Sequence, residues 1–186
     1  MPIDSYESVG FVRLGVYKLG HYGVSLGLYA PCSAWLLRRE LPALAVLGGA
    51  ALLRLTMLPD ADTRLPMVSH RGPTHTVLFA LAVGVAVGLV SELAIAPTLG
   101  GLDAAAFAAV PGFQTGLGGF GFFIGTLAIV SHLLADVITP MGIRPFWPIS
   151  GRSFTLDITP AKNTLANYAL LALGTLLSAS AILTAL

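Results

Sequence analysis

The chain has 186 residues, of which 55% are hydrophobic and only 10% charged, and its mean hydropathy is +0.83. Soluble domains contain about 25% charged residues, so this composition predicts an integral membrane protein. A formal net charge of +1 without any basic run argues against nucleic acid as a partner. The single cysteine, Cys32, excludes an internal disulfide and a cysteine-cluster metal site.

Apolar runs predict an all-α protein with five transmembrane helices in one bundle, forming a single domain over residues 1–186. The predicted spans are 19–37, 41–58, 74–96, 116–139 and 164–186. Before them, residues 1–18 mix charged and apolar side chains and are predicted to form a helix in the membrane interface. Arg38-Arg39 follows the first span instead of small residues, so we expect no cleaved signal peptide. Between the third and fourth spans we expect a short helix around 103–110.

Basic residues are divided unequally between the two ends of the predicted spans. With five spans, the N-terminus and the segments 59–73 and 140–163 lie on one side, and Arg38 and Arg39 lie on the other. The first side carries seven basic residues: Arg13, Lys18, Arg64, Arg71, Arg144, Arg152 and Lys162. By the positive-inside rule this side is cytoplasmic, which predicts a multi-pass protein of the cytoplasmic membrane with a cytoplasmic N-terminus.

The fourth span carries two ionisable residues at its cytoplasmic end. His132 and Asp136 are four residues apart, so they lie on one face of a helix. An aspartate in a membrane span costs about 2.5–3.5 kcal/mol, which a partner has to offset. The motif Gly121-x-x-x-Gly125 continues this face and, like Gly84-x-x-x-Gly88 in the third span, predicts close helix packing. The face is therefore expected to contact protein, either through a packing hydrogen bond donated by His132 or around a metal ion.

All four histidines reach the cytoplasmic face in this topology. His21 begins the first span and suits either an interfacial residue or a ligand. In the motif His70-Arg71-Gly72-Pro73-Thr74-His75, the Gly-Pro pair predicts a turn that brings His70 back over His75. Pro59-Asp60-Ala61-Asp62 adds two carboxylates at a helix end, either as a solvated turn or as ligands of one cation. Four imidazoles with three carboxylates favour zinc, manganese or iron over an all-oxygen magnesium site.

Four motifs carry a resemblance to a known family. In chain order they are His21, Leu58-Pro59-Asp60-Ala61-Asp62, His70-Arg71-Gly72-Pro73-Thr74-His75-Thr76 and Ser131-His132-Leu133-Leu134-Ala135-Asp136, the last continuing into Thr139-Pro140-x-Gly142 and Phe146-Trp147-Pro148. With these motifs the chain resembles the YdjM-type family of membrane-bound metal-dependent hydrolases. The resemblance implies a multi-span helical protein with a metal site near one membrane face. The chain departs from the family pattern at Thr63, where the family usually has a histidine.

The function we expect is that of a metal-dependent hydrolase with its site at the cytoplasmic face of the membrane. The expected metal ligands are His21, Asp62, His70, His75, His132 and Asp136, with zinc or manganese as the cofactor. Asp60 and Arg71 are expected to be catalytic, Asp60 as a general base or as a group behind the ligands. The expected substrate is a phosphoester of a lipid or a lipid-linked molecule, bound by Arg144, Arg152 and Trp147.

Two other functions are alternatives: a divalent-metal transporter, and a non-enzymatic membrane scaffold with structural histidines. A transporter needs polar residues deeper in the spans, where Ser25, Glu92 and Thr126 are the main ones. Metal content separates the scaffold from the other two functions, and ion flux into vesicles separates transport from hydrolysis.

Overall fold

A computed structural model describes the backbone of residues 7–64, 71–99 and 116–185, and side chains from residue 18 onward. It contains five α-helices, which are α1 (Glu7–Arg38), α2 (Pro42–Thr56), α3 (Val77–Val90), α4 (Leu117–Val137) and α5 (Thr164–Leu183). Within the described residues there is no strand, only an isolated antiparallel bridge between Ile143 and Phe154. The all-α prediction is therefore confirmed for this part of the chain. His70 and the short helix expected at 103–110 lie outside the described residues.

Four helical segments are long and apolar enough to cross a membrane. They are Pro42–Arg64, Val77–Thr98, Leu117–Val137 and Thr164–Leu183. The predicted first span, 19–37, forms the second half of α1, which is not one of these four segments. Residues 7–18 continue into this span as one helix of 32 residues. The membrane-protein class is thus supported by four helices, and the count of five spans stays a prediction.

Two pairs of helices pack through glycines. The first helix, α1, makes its most extensive contact with α5, where a Cβ atom on Gly174 would collide with the Gly23 carbonyl group. Between α3 and α4, a Cβ atom on Gly125 would lie 3.0 Å from the Gly84 Cα atom. The close packing expected from the glycine motifs is therefore present, because these backbones approach too closely to admit a side chain.

Helix α2 lies against both α1 and α4, away from the polar ends of the helices. Leu52 of α2 is fully buried and belongs to one apolar cluster with Tyr29 of α1 and Phe120 of α4. The Tyr29 hydroxyl group donates a 2.9 Å hydrogen bond to the Ala45 carbonyl group. This cluster fixes the positions of α1, α2 and α4 relative to one another, and those helices carry or adjoin four of the candidate ligands.

The helix ends at one side of the bundle are joined by short 3-10 turns and a returning loop. One 3-10 turn, Pro59–Arg64, follows α2, and another, Pro73–His75, precedes α3. Thr76 caps α3 by accepting a 3.1 Å hydrogen bond from the Phe79 amide group. The loop after α4 folds back over its end, because the Leu156 amide group donates a 2.7 Å hydrogen bond to the Val137 carbonyl group. These turns bring polar side chains from distant parts of the chain to one place.

Candidate metal centre

Three histidines and two aspartates meet at the end of the bundle where the 3-10 turns lie. They come from four separate segments: His21 from α1, Asp60 from the turn after α2, His75 from the turn before α3, and His132 with Asp136 from α4. The three imidazoles and the Asp136 carboxylate are buried. The Asp60 side chain is 31% exposed, so the cluster opens to the surroundings on the Asp60 side.

Four nitrogen and oxygen atoms of this cluster are spaced as ligands of one ion. The Nε2 atoms of His75 and His132 are 3.2 Å apart. Asp136 Oδ2 lies 3.3 Å from His75 Nε2 and 3.5 Å from His132 Nε2, and Asp60 Oδ1 lies 3.6 Å and 3.4 Å from the same two nitrogens. Two ligands of a tetrahedral zinc ion, with bonds of about 2.0–2.2 Å, are separated by about 3.4 Å. Each of these five pairs therefore matches the spacing of two ligands of one ion, whereas Asp60 and Asp136 belong to different ligand groups.

The atoms that could ligate a metal fall into two groups that share His132. One group is His21, His132 and Asp136, and the other is Asp60, His75 and His132, each with its ligand atoms within 4.8 Å of one another. A neutral imidazole has a single lone pair to offer, so His132 can serve only one ion. Asp136 Oδ2 is buried and has no hydrogen bond partner among the described residues, as expected for an oxygen reserved for a cation.

The charges of the cluster also call for a cation. Asp60, Asp62 and Asp136 bring three carboxylates, and Arg71 brings one guanidinium group, which contacts Asp136. With neutral imidazoles these four groups carry three negative charges and one positive charge, so their sum is negative. Buried charges are costly unless they are paired or bind a metal, and a divalent ion would balance this excess.

Asp62 lies behind His75 and not beside the other ligand atoms. Its Oδ2 atom is 3.4 Å from His75 Nδ1, on the ring edge opposite Nε2, and it accepts a 2.7 Å hydrogen bond from the Thr74 hydroxyl group. The Asp62 and His75 side chains are both fully buried. The Thr74 hydroxyl group, whose hydrogen is donated to Asp62, lies 3.0 Å from His75 Nδ1 and accepts there, so Asp62 and Thr74 together favour a proton on Nδ1 and leave the Nε2 lone pair directed into the cluster. Asp62, expected as a ligand, is thus placed to orient one.

Arg71 is occupied in holding Asp136. Its guanidinium group donates hydrogen bonds of 2.7 Å to Asp136 Oδ1, 2.9 Å to the Thr139 hydroxyl group and 3.1 Å to the Gly142 carbonyl group. The Arg71 backbone has φ of +59°, a left-handed conformation that is uncommon outside glycine. Arg71 therefore holds Asp136 by Oδ1, and Oδ2 faces the His75 and His132 imidazoles.

A model of the YdjM inner membrane protein family matches residues 17–186 of this chain. The chain belongs to the YdjM family. No curated protein and no solved structure matches it. Family membership confirms the resemblance that the motifs indicate, and all four motifs lie within the matched residues.

In this YdjM-family protein, His21 stands at the edge of the cluster. Its Nε2 atom is 3.5 Å from Asp136 Oδ1, the oxygen that also accepts from Arg71. Its ring lies over the His132 ring with centroids 4.3 Å apart and planes inclined by 32°. His21 is therefore in position either to bind a metal through the second group or to orient Asp136 and His132.

The residues expected to bind substrate lie on the loop after α4 and outside both ligand groups of this YdjM-family protein. Arg144, Arg152 and Trp147 are all exposed, and the Arg152 guanidinium carbon is 5.3 Å from the centre of the Phe154 ring. Thr63 is also exposed, and its hydroxyl group donates a 2.7 Å hydrogen bond to the Asp60 carbonyl group. The departure from the family pattern at residue 63 thus lies beside the cluster and not within it.

Sequence reasoning missed a set of hydroxyl groups next to the metal centre. Ser25, Thr56 and Ser131, here named the hydroxyl cluster, are fully buried. Ser25 Oγ lies 2.9 Å from Thr56 Oγ1 and 2.7 Å from Ser131 Oγ. Ser25 is four residues after His21, Thr56 is four residues before Asp60, and Ser131 directly precedes His132. The four-residue spacing of Ser25 from His21 and of Thr56 from Asp60 could have predicted the hydroxyl cluster, since residues four apart share a helix face.

Proposed function

We propose that this protein is a metal-dependent hydrolase embedded in the membrane, with a divalent ion held by His75, His132, Asp60 and Asp136. The observation that carries the proposal is the set of five interatomic distances of 3.2–3.6 Å among those side chains. Nitrogen and oxygen ligands at this spacing favour zinc, with manganese as the second choice. When bound, such an ion lowers the pKa of a coordinated water toward about 7 and supplies a nucleophile at neutral pH.

The side chains around the four ligands have separate roles in this proposal. Asp62 keeps the His75 tautomer that offers Nε2, and Arg71 holds Asp136 with Oδ2 toward the imidazoles. Asp60 binds the ion through Oδ1 and leaves Oδ2 as the general base, because its carboxylate is the one most open to water in the cluster. Substrate therefore approaches from the Asp60 side. Arg71 acts through Asp136 and not on the substrate directly.

The proposed substrate is a phosphoester of a lipid or a lipid-linked molecule. Arg144 and Arg152 are exposed cations on the loop whose base, at Gly142, accepts a hydrogen bond from Arg71. Trp147 is 44% exposed and its neighbour Phe146 is 50% exposed on the same loop. Aromatic side chains of this kind are typical of the membrane interface, and arginine pairs well with phosphate.

We also propose five spans with the N-terminus and the metal centre on the cytoplasmic side. The support is the excess of basic residues at that end of the bundle, seven against two at the opposite end. In this arrangement α1 is the first span in chain order and brings the number of spans from four to five. It packs along α5, which is one of the four segments long and apolar enough to cross a membrane.

Hydrolysis is favoured over transport by the hydroxyl cluster. A conducted ion would have to pass inward from the metal centre, where Ser25, Thr56 and Ser131 contact one another at 2.7 and 2.9 Å. Contacts this short are hydrogen bonds between the hydroxyl groups, and these bonds close the route between α1, α2 and α4 at this level. Glu92 is exposed and accepts a 2.8 Å hydrogen bond from the Gly118 amide group, so it offers no continuation of a path.

The experiment that tests this proposal measures metal content and hydrolysis on the same purified protein. Wild type is compared with His132→Ala and with the isosteric variant Asp136→Asn, all monodisperse in detergent. We expect metal in wild type and its loss in both variants. We also expect chelator to abolish cleavage of phosphoester lipids by wild type, and zinc to restore it. Full metal occupancy in both variants would reject the site. A metal-loaded protein that cleaves no phosphoester but carries the ion into vesicles would reject hydrolysis in favour of transport.

A further inference from the structure

The hydroxyl cluster joins α1, α2 and α4, which are three of the helices that carry or adjoin candidate ligands. Ser25 on α1 contacts both of the other members, Thr56 on α2 and Ser131 on α4. His21, Asp60 and His132 lie within four residues of these positions on the same segments. The contacts among hydroxyls therefore fix the distances between helices one turn away from the metal centre.

Ser25 is the common hydrogen-bond partner of Thr56 and Ser131, and the number of hydroxyl hydrogens limits which contacts can form at the same time. The three hydroxyl groups make five contacts: Ser25 with Thr56, Ser131 and the His21 carbonyl group, Thr56 with the Leu52 carbonyl group, and Ser131 with the Ala128 carbonyl group. Three hydroxyls supply only three hydrogens. Both contacts between helices can be hydrogen bonds only if Thr56 or Ser131 turns its hydrogen from its own helix toward Ser25. A hydroxyl at residue 25 is thus required for either bond between helices.

We infer that Ser25 is a positioning residue for the metal centre, acting through the placement of α1, α2 and α4. This inference rests on the proposed metal site. Ligand distances have to be kept within about 0.2 Å for a metal to bind well, so a small change in helix spacing is felt at the ion. Groups behind the ligands typically change metal affinity by about 10–100-fold when they are removed.

Removing the Ser25 hydroxyl group separates positioning from folding. In Ser25→Ala, Thr56 can donate to the Leu52 carbonyl group and Ser131 to the Ala128 carbonyl group, each 2.8 Å away. No buried hydroxyl is then left without a partner, so the usual penalty for an unsatisfied donor does not arise. The variant is therefore expected to fold while its helices lose their polar link.

The test uses Co²⁺ in place of the native metal, because the visible absorption of Co²⁺ reports ligand geometry. The full chain in detergent is titrated with Co²⁺ as wild type, Ser25→Ala, Thr56→Val and Thr56→Ser. Thr126→Val is the matched control, since Thr126 Oγ1 is a buried hydroxyl on α4 without a hydrogen bond partner among the described residues. We expect Ser25→Ala and Thr56→Val to bind Co²⁺ about 10-fold more weakly with an altered spectrum. Thr56→Ser and Thr126→Val should match wild type.

Two results would overturn the inference and are distinguishable from each other. If wild type binds Co²⁺ and both Ser25→Ala and Thr56→Val bind it equally well with the same spectrum, the hydroxyl cluster does not position the ligands, although the metal site stands. If wild type itself binds no Co²⁺, the proposed metal site fails and the positioning role fails with it. Thr56→Val gives the answer if Ser25→Ala does not fold, because valine keeps the shape of threonine.

Discussion

Replacing Asp62 with asparagine distinguishes a carboxylate that orients a ligand from one that binds the ion. The variant keeps the shape of the side chain and removes its charge. Asparagine can accept from Thr74 as aspartate does at 2.7 Å, but its amide group can also donate to His75 Nδ1 and so favour the wrong tautomer. Since Asp62 lies on the Nδ1 edge of His75, 3.4 Å away, we expect weaker metal binding without loss of the site.

The expected size of the effect follows from this position. Removing a group that orients a ligating histidine typically lowers metal affinity by about 10–100-fold, which corresponds to about 1.4–2.7 kcal/mol. Zinc affinity is measured by competition with a chromophoric chelator for wild type, Asp62→Asn and Asp60→Asn. We expect Asp62→Asn to reach the wild-type stoichiometry at high zinc, and Asp60→Asn to bind more weakly than Asp62→Asn, because Asp60 contributes an oxygen directly.

Two outcomes would refute this reasoning. If Asp62→Asn has no zinc at any concentration while Asp60→Asn is loaded normally, Asp62 is the ligand and the assignment of the two aspartates is reversed. If Asp62→Asn binds zinc as tightly as wild type, the Asp62–His75 contact does not contribute to metal affinity. Each variant is first shown to elute from a sizing column as wild type does, so that misfolding is not mistaken for loss of a ligand.

Three further predictions concern residue 63, the packing of helices and the topology. Thr63 is exposed and its hydroxyl group bonds a backbone carbonyl group. Thr63→Ala and Thr63→His should therefore both keep the wild-type metal content across a chelator series. A higher metal content in Thr63→His would place residue 63 at the site. Gly125→Ala puts a Cβ atom 3.0 Å from the Gly84 Cα atom, and it should lower the free energy of unfolding in detergent by about 1–3 kcal/mol. Gly151→Ala is the control and should leave that free energy unchanged, because a Cβ atom on Gly151 would have no neighbouring atom within 4 Å. A reporter fused to the N-terminus should be active only in the cytoplasm and one fused to the C-terminus only outside it, and a cytoplasmic C-terminus would reject five spans.

The sequence was sufficient to predict that the candidate ligands on the helices lie together, because topology and helix periodicity act over long distances. The four-residue spacing of His132 and Asp136 places both on one buried face of α4, and the alternation of spans returns His21 and His75 to the same end. Both arguments need only the approximate bounds of the apolar runs, and small errors in those bounds do not alter the outcome.

Local backbone geometry set the roles of the two aspartates, and the sequence did not reveal it. A turn or extended segment would let Asp60 and Asp62 reach one cation, but the chain forms a 3-10 turn over Pro59–Arg64. With three residues per turn, positions two apart point in different directions. Asp60 consequently lies on the partly exposed side of the cluster and Asp62 is buried behind His75.

Arg71 is a second case in which local conformation decided the role of a residue. By composition alone, a loop arginine beside a glycine and a proline is expected to be a phosphate ligand. Its left-handed backbone and its three hydrogen bonds, to Asp136, Thr139 and Gly142, depend on how the loop after α4 returns to the cluster. That return is a tertiary contact with no periodic signal in the sequence.

The pairing of α1 with α5 has a consequence for the order of assembly. The two helices are the first and last of the five described, and they share the most extensive helix contact of the described residues. In the proposed five-span arrangement, α1 is made first and meets α5 only after the three intervening helices have been made. His21 and Ser25 lie on α1, so their final positions are set when α5 arrives. The candidate metal centre is therefore completed late in biogenesis, after the last of the described helices has been made.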